Sequence, residues 1–187
     1  AIYCALIIWV IGLAVPVTAT YIIAVVMVAP AFIMLGVPDY AAHMFVFYYA
    51  ILSEVSPPTA LSPFAAAAIC KGDPYKTTIF AWKYTLPAFL IPFTFTIHPN
   101  GVGILLRGSL LNVLTTFITA LLGVLALAGG VDSWFFKRTT LLERILLIIA
   151  GLSLMYPTGW TDLVGVGLVG FVIFSQRLRK GVPAPTY

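Results

Sequence analysis

Apolar residues fill this chain in long blocks, and polar residues gather where the blocks end. A helix needs about 20 such residues to cross a bilayer, so each block is a candidate span. The first, residues 2–13, is too short: at ~1.5 Å per residue it reaches roughly 18 Å against a hydrocarbon core of ~30 Å. Gly12-Leu13-Ala14-Val15-Pro16-Val17-Thr18-Ala19-Thr20-Tyr21 follows, with a helix breaker, small side chains and two hydroxyls. A second limb covers 20–35, and Gly36-Val37-Pro38-Asp39 ends it. Two limbs around a small, polar tip predict a re-entrant hairpin over 1–36, entering and leaving on the outer side. One long helix kinked at Pro16 is the alternative.

The block at 40–70 has the length of one span, yet it contains Glu54, Pro57, Pro58 and Pro63. A proline inside a helix removes a donor and clashes with the carbonyl one turn back. The pattern predicts a broken transmembrane helix: 42–55, an unwound link, then 59–70. Irregular backbone at membrane depth is tolerated where it is buried in protein or lines a wet cavity. An intramembrane carboxylate is by default a functional-site candidate. Both rules direct attention to residues 53–63.

Beyond Gly72 and the helix-start pair Asp73-Pro74, residues 71–84 predict a cytoplasmic loop and a short interfacial helix with Phe80, Trp82, Tyr84 and two lysines. Residues 85–175 predict four C-terminal transmembrane helices, at 86–97, 109–128, 146–156 and 160–174. His98-Pro99-Asn100-Gly101 and Pro157-Thr158-Gly159 are turns between them, and 134–144 is a basic aromatic loop. Residues 176–187 form a basic cytoplasmic tail.

Composition agrees: 61% of the 187 residues are hydrophobic, 9% are charged, and mean hydropathy is +1.08. This is an all-α, polytopic membrane protein. Ala1 opens inside an apolar run, which predicts a piece of a longer protein, its C-terminal part. The net charge of +4 carries no stripe that could follow phosphates, so no nucleic-acid partner is expected. The cations act as topology markers. Placing the 71–83 loop, the 137–144 loop and the tail on one side collects Lys71, Lys76, Lys83, Lys137, Arg138, Arg144, Arg177, Arg179 and Lys180, leaving only Arg107 opposite. The cation-rich side is expected to be cytoplasmic, with the C-terminus. Cys4 and Cys70 then fall on opposite sides, and no metal-ligand spacing exists.

Chemistry is sought where oxygens meet bare backbone. The hairpin tip offers carbonyls, Thr18 and Thr20, and the break offers Ser53, Glu54, Ser56 and Thr59. Half-helix N-termini attract anions and C-terminal carbonyls attract cations. If tip and break meet, they form an oxygen-rich cage suited to a hard monovalent cation, beside an anionic solute held at the helix start near Thr59. Plainer alternatives stand beside each: Thr18 and Thr20 back-bonding their own helix, Pro57-Pro58 as a kink without ligand, and Glu54 as packing. His43 reads as interfacial, and Arg107 as a snorkelling cation. No nucleotide-binding loop, nucleophile elbow or paired His ligands are present, so the chain does not read as an enzyme.

The stretches Gly12–Tyr21, 41–49, 54–61 and 72–77 resemble the large membrane subunit of tripartite ATP-independent periplasmic (TRAP) transporters, nearest to the fused permeases that work with TAXI-class binding proteins. Members commonly have Gly-Met-Gly-Leu-Pro-Thr-Thr-Ala-Asn-Tyr at the first stretch; this chain has Ala14, Val17 and Thr20 there. They commonly have Val/Ile-Thr-Pro-Pro-Val at the break, where this chain has Ser56 and Thr59. The resemblance implies the second half of an elevator-type transporter built from inverted repeats. It implies import of small organic acids (carboxylates) delivered by a periplasmic solute-binding protein and driven by Na⁺ or H⁺. It places the chain in a bacterial or archaeal inner membrane, with the N-terminal part of the permease and a small, sometimes fused membrane subunit as partners. No cofactor beyond the coupling ion is implied. The implied ion and substrate residues are Gly12, Pro16, Val17, Thr18, Thr20, Glu54, Ser56, Pro57, Pro58 and Thr59, with Thr18, Ser56 and Thr59 as Na⁺ ligands. A channel whose unwound segment is a filter, a non-transporting scaffold, and an intramembrane enzyme using Glu54 remain as alternatives.

Overall fold

The computed structural model describes residues 1–178; most of the expected tail, including Arg179 and Lys180, lies outside the described residues. All regular elements among the described residues are helices, with one isolated bridge between Trp134 and Arg138 in the connections. In chain order the helices are α1 (Ile2–Gly12), α2 (Val17–Met34), α3 (Asp39–Ser53), α4 (Leu61–Cys70), α5 (Pro74–Thr85), α6 (Ile91–Ile97), α7 (Leu110–Val131), α8 (Leu141–Leu154) and α9 (Gly159–Leu178). Two 3₁₀ segments, Leu86–Leu90 and Pro99–Leu105, flank α6.

Local chemistry explains the boundaries. Asp73 caps α5 by accepting from the Lys76 amide at 2.9 Å, with Pro74 at the first helical position. Thr140 and Glu143 form a reciprocal capping box: the Thr140 hydroxyl accepts from the Glu143 amide at 3.3 Å, and the Glu143 carboxylate accepts from the Thr140 amide at 2.8 Å. Helix α8 therefore starts at Leu141, inside the stretch expected to be loop. Pro87 and Pro92 have no N–H for the carbonyls one turn back, so the chain tightens: Leu86 donates to Lys83 and Ile91 to Ala88, three residues back. Residues 74–97 thus run as three consecutive helical segments, and the stretch 86–97 expected as one regular span is divided.

Three helices are long and apolar enough to cross a membrane, namely Val17–Met34, Leu110–Val131 and Gly159–Leu178. Within 85–175, α7 and α9 meet that length, α8 has 14 residues, and 86–97 is divided. Apolar side chains such as Val26, Met34 and Ile69 point outward, 71%, 88% and 85% exposed, as a lipid-facing surface does.

Two apolar cores are present. The first joins α1, α2, α3 and α6 through Ile8, Phe32, Phe45, Val46 and Phe95; the second joins α7, α8 and α9 through Ala126, Leu147, Leu154 and Val172. In the second, small residues let backbones approach closely. A methyl added at Gly151 would lie 2.9 Å from the Gly123 carbonyl oxygen. A more polar seam connects the cores: Thr94 donates to the Met155 sulfur at 3.3 Å, and the Asn100 carbonyl accepts from Asn112 and Thr116, each at 3.2 Å. Helix ends meet in two groups. Lys83 pairs with Asp132 at 3.1 Å and Arg144 Nε donates to the Gly130 carbonyl at 3.0 Å at one end. Arg107 stacks 5.2 Å from the Tyr40 ring, and the His98 and Tyr156 rings meet at 5.5 Å, at the other.

Candidate functional site

Helices α1 and α2 form a hairpin. Residues 1–3 border one cavity with Ile97, and 35–37 border another that also includes Ile97, so both limbs open at one end of the molecule. The tip lies against the break in α3–α4. Gly12, the last residue of α1, is buried, and a methyl placed on it would overlap the Ser53 hydroxyl, lie 2.5 Å from Ser53 Cβ and reach 3.3 Å from Thr20 Cγ2. Only a residue without a side chain allows the tip to approach that closely.

The tip is built by its own polar groups. Leu13 and Ala14 close α1 with amides bonded to Val10 and Ile11, three residues back. Pro16 is extended (φ −59°, ψ 156°) and opens α2. The fully buried Thr20 hydroxyl donates toward the Val15 and Pro16 carbonyls, both at 3.1 Å. Thr20 therefore rivets the tip to the start of α2, and its oxygen keeps lone pairs free to accept.

The break spans seven residues, 54–60, between α3 and α4. Ser53 donates to the Ala50 carbonyl at 2.7 Å and Ser56 to the Leu52 carbonyl at 2.8 Å; both side chains are fully buried. The Pro57–Pro58 peptide is cis. Ala60, also buried, takes a left-handed conformation (φ 29°, ψ 54°) and hands the chain to Leu61. This corrects the expected limits of the half-helices: α3 stops at Ser53, and α4 starts at Leu61 with Pro63 in its first turn. Thr59 consequently stands two residues outside the helix start at which an anion was expected.

Gly12, Thr20 and Ser53 come together, and Ser56 is buried one helical turn along from Leu52. Val17 is half-buried in the first turn of α2. Glu54 is half-buried at the C-cap of α3, and Pro57 is half-buried beside it. Pro16, Thr18, Pro58 and Thr59 are exposed, whereas Ser56, the other hydroxyl expected as a Na⁺ ligand, is buried. The tightest contact uses Ser53 instead, a residue recognisable only by its position at the last turn before the prolines. A further polar link was not legible: Tyr21 of α2 and His43 Nδ1 of α3 lie 2.7 Å apart, joining the hairpin to the broken helix.

Discontinuous helices recur in secondary-transporter folds. Residues 1–100 match the family model for "Tripartite ATP-independent periplasmic transporter, DctM component", more than half of the chain, and the chain belongs to that family. It is accordingly a TRAP-type secondary-transporter permease, a class that works with a periplasmic binding protein and membrane partner subunits. Residues 113–166 match a domain of unknown function, DUF3394. Comparison with curated proteins and with solved structures gives no match.

Proposed function

We propose that this chain supplies the outer hairpin and broken helix of a cation-coupled importer of small organic acids delivered by a periplasmic solute-binding protein of the TAXI class, working by an elevator movement. The observation that carries this reading is the seating of Gly12 against Ser53, which puts the hairpin tip at the unwound segment. The chemistry of the donors fits a hard monovalent cation. Neutral hydroxyls and the last carbonyls of α3 converge on the break, and no cluster of three acidic or sulfur ligands exists among the described residues.

Glu54 supports the same reading. A carboxylate at a helix C-terminus faces the negative end of the helix dipole. A bound Na⁺ or a proton offsets that repulsion. Ser56 and the tip carbonyls would hold the ion, with Thr18 and Thr59 contributing from the exposed side, and Leu61 and Ser62 amides at the start of α4 facing an anionic solute. The cation-rich end is then cytoplasmic and the Arg107 end periplasmic. Uptake of labelled carboxylates into proteoliposomes, with the cognate binding protein outside, tests the proposal. Uptake should require both the binding protein and an inward Na⁺ or H⁺ gradient; uptake indifferent to collapse of both gradients refutes the coupling.

A further inference from the structure

The first limb of the hairpin does not pack flush against its neighbours. Ile2, Ala5, Leu6 and Trp9 of α1, Tyr49 of α3 and Trp82 of α5 line a cavity of about 250 Å³. Residues 2, 5, 6 and 9 recur at helical spacing, so the cavity follows one face of α1 for about 10 Å. Gly12 continues that face one turn further, and Ser53 stands one turn beyond Tyr49 on α3. The cavity therefore leads along both helices to the place where the tip meets the break. None of its lining residues is charged. The Tyr49 hydroxyl spends its hydrogen on the Phe89 carbonyl at 2.6 Å, and the indole nitrogens of Trp9 and Trp82 are buried with no hydrogen-bond partner.

A buried N–H without an acceptor is costly, and two around one cavity call for a cause. An indole N–H donates and cannot accept, so the missing partner is an acceptor. That acceptor is uncharged: a carboxylate drawn between apolar walls with no cation beside it would lose its hydration uncompensated. A molecule that keeps its carboxylate at the break and places a neutral oxygen in the cavity meets both conditions. Resting on the reading of the chain as an importer of small organic acids, we propose that this cavity is the subsite for the body of the solute, and that the solute is a monocarboxylic acid with an aromatic body bearing an ether or ketone oxygen. The aromatic body lies against α1 and Tyr49. Turning an indole about its Cβ–Cγ bond, a soft torsion, brings a covered N–H to the oxygen. The same walls exclude a dicarboxylate, whose second charge would be stripped of water there. Concave, mostly apolar walls with a few placed polar groups are the usual make-up of a small-molecule site.

The test is equilibrium binding of radiolabelled acids to the purified permease with its membrane partner subunits, in the absence of any gradient. Phenylacetate should bind roughly tenfold tighter than acetate, through burial of its ring. 4-Methoxyphenylacetate should bind about fivefold tighter again, through its added acceptor. Succinate should bind no better than acetate. W9F/W82F keeps a ring at both positions and removes both N–H donors, so it should erase the preference for the methoxy acid. L6W, at a position already 51% exposed, fills part of the cavity and should weaken both aryl acids. An assembled permease that binds phenylacetate no better than acetate, as when a partner helix covers the groove, overturns the proposal. So does a methoxy preference that survives W9F/W82F, or aryl-acid binding untouched by L6W, which marks partition into detergent. The importer reading is judged separately. Gradient-driven uptake of succinate without aryl-acid binding leaves that reading intact and sinks the subsite, whereas aryl acids that bind as expected but are not taken up support the subsite and refute the coupling.

Discussion

Gly12→Ala is the sharpest probe of how the hairpin tip meets the broken helix. The added methyl would overlap the Ser53 hydroxyl and lie 2.5 Å from Ser53 Cβ, well inside contact distance. Ser53 cannot swing away cheaply, because it is fully buried and its hydroxyl is held by the Ala50 carbonyl at 2.7 Å. Overfilling a packed site costs about 1–3 kcal/mol. Alanine returns up to ~1 kcal/mol of helix propensity in mid-helix, and less at Gly12, the last helical residue. The net cost is therefore about 1–2 kcal/mol against the docked tip, a roughly 5–30-fold loss in the docked-to-undocked ratio. Solute uptake in proteoliposomes should fall by a similar factor while membrane insertion persists. Ser53→Gly removes the obstructing carbon, so G12A/S53G should recover much of the loss. A G12A transporter with wild-type uptake, or a double variant no better than the sum of its parts, refutes the close contact as the reason.

Gly101→Ala should be more damaging, because its methyl would overlap the Thr94 carbonyl oxygen and lie 2.6 Å from the carbonyl carbon, and backbone cannot rotate aside. We expect a loss of about 3 kcal/mol or more, seen as a fall in thermal midpoint or in monodisperse protein in detergent. Glu143→Ala removes the reciprocal cap of α8 and the acceptor of Ser175 and Gln176, and should cost about 2–4 kcal/mol by the same assay; Glu143→Gln, which keeps an acceptor, should cost less.

The interruption at the candidate site was legible because proline acts locally. Pro57 and Pro58 remove donors wherever they stand, so the interruption of α3–α4 followed from the sequence alone. Its limits did not. Pro63 suits the first turn of a helix, and that signal favours a start at Leu61 over Thr59, but an alanine does not announce the positive φ at which Ala60 makes the handover. The capping box Thr140-Leu141-Leu142-Glu143 is equally local and marks the start of α8, yet it lies within a run that charge and aromatics alone make look like loop. The 3₁₀ segment over Pro99–Leu105 is less local: it depends on Gly101 and Gly103 letting the chain press against α6 and α7. The partnering of Gly12 with Ser53 and of Tyr21 with His43 is a matter of how helices cross, and spacing along one chain does not encode it directly.

The Tyr49 hydroxyl donates to the Phe89 carbonyl at 2.6 Å. Three residues past Phe89 stands Pro92, with no hydrogen to offer that oxygen in a 3₁₀ pattern, so a phenol from the broken helix serves in its stead. The crooked column over 74–97 and the upper half of the broken helix are thereby fastened at mid-height. A motion that parted α3 from this column would leave the Phe89 carbonyl without that partner.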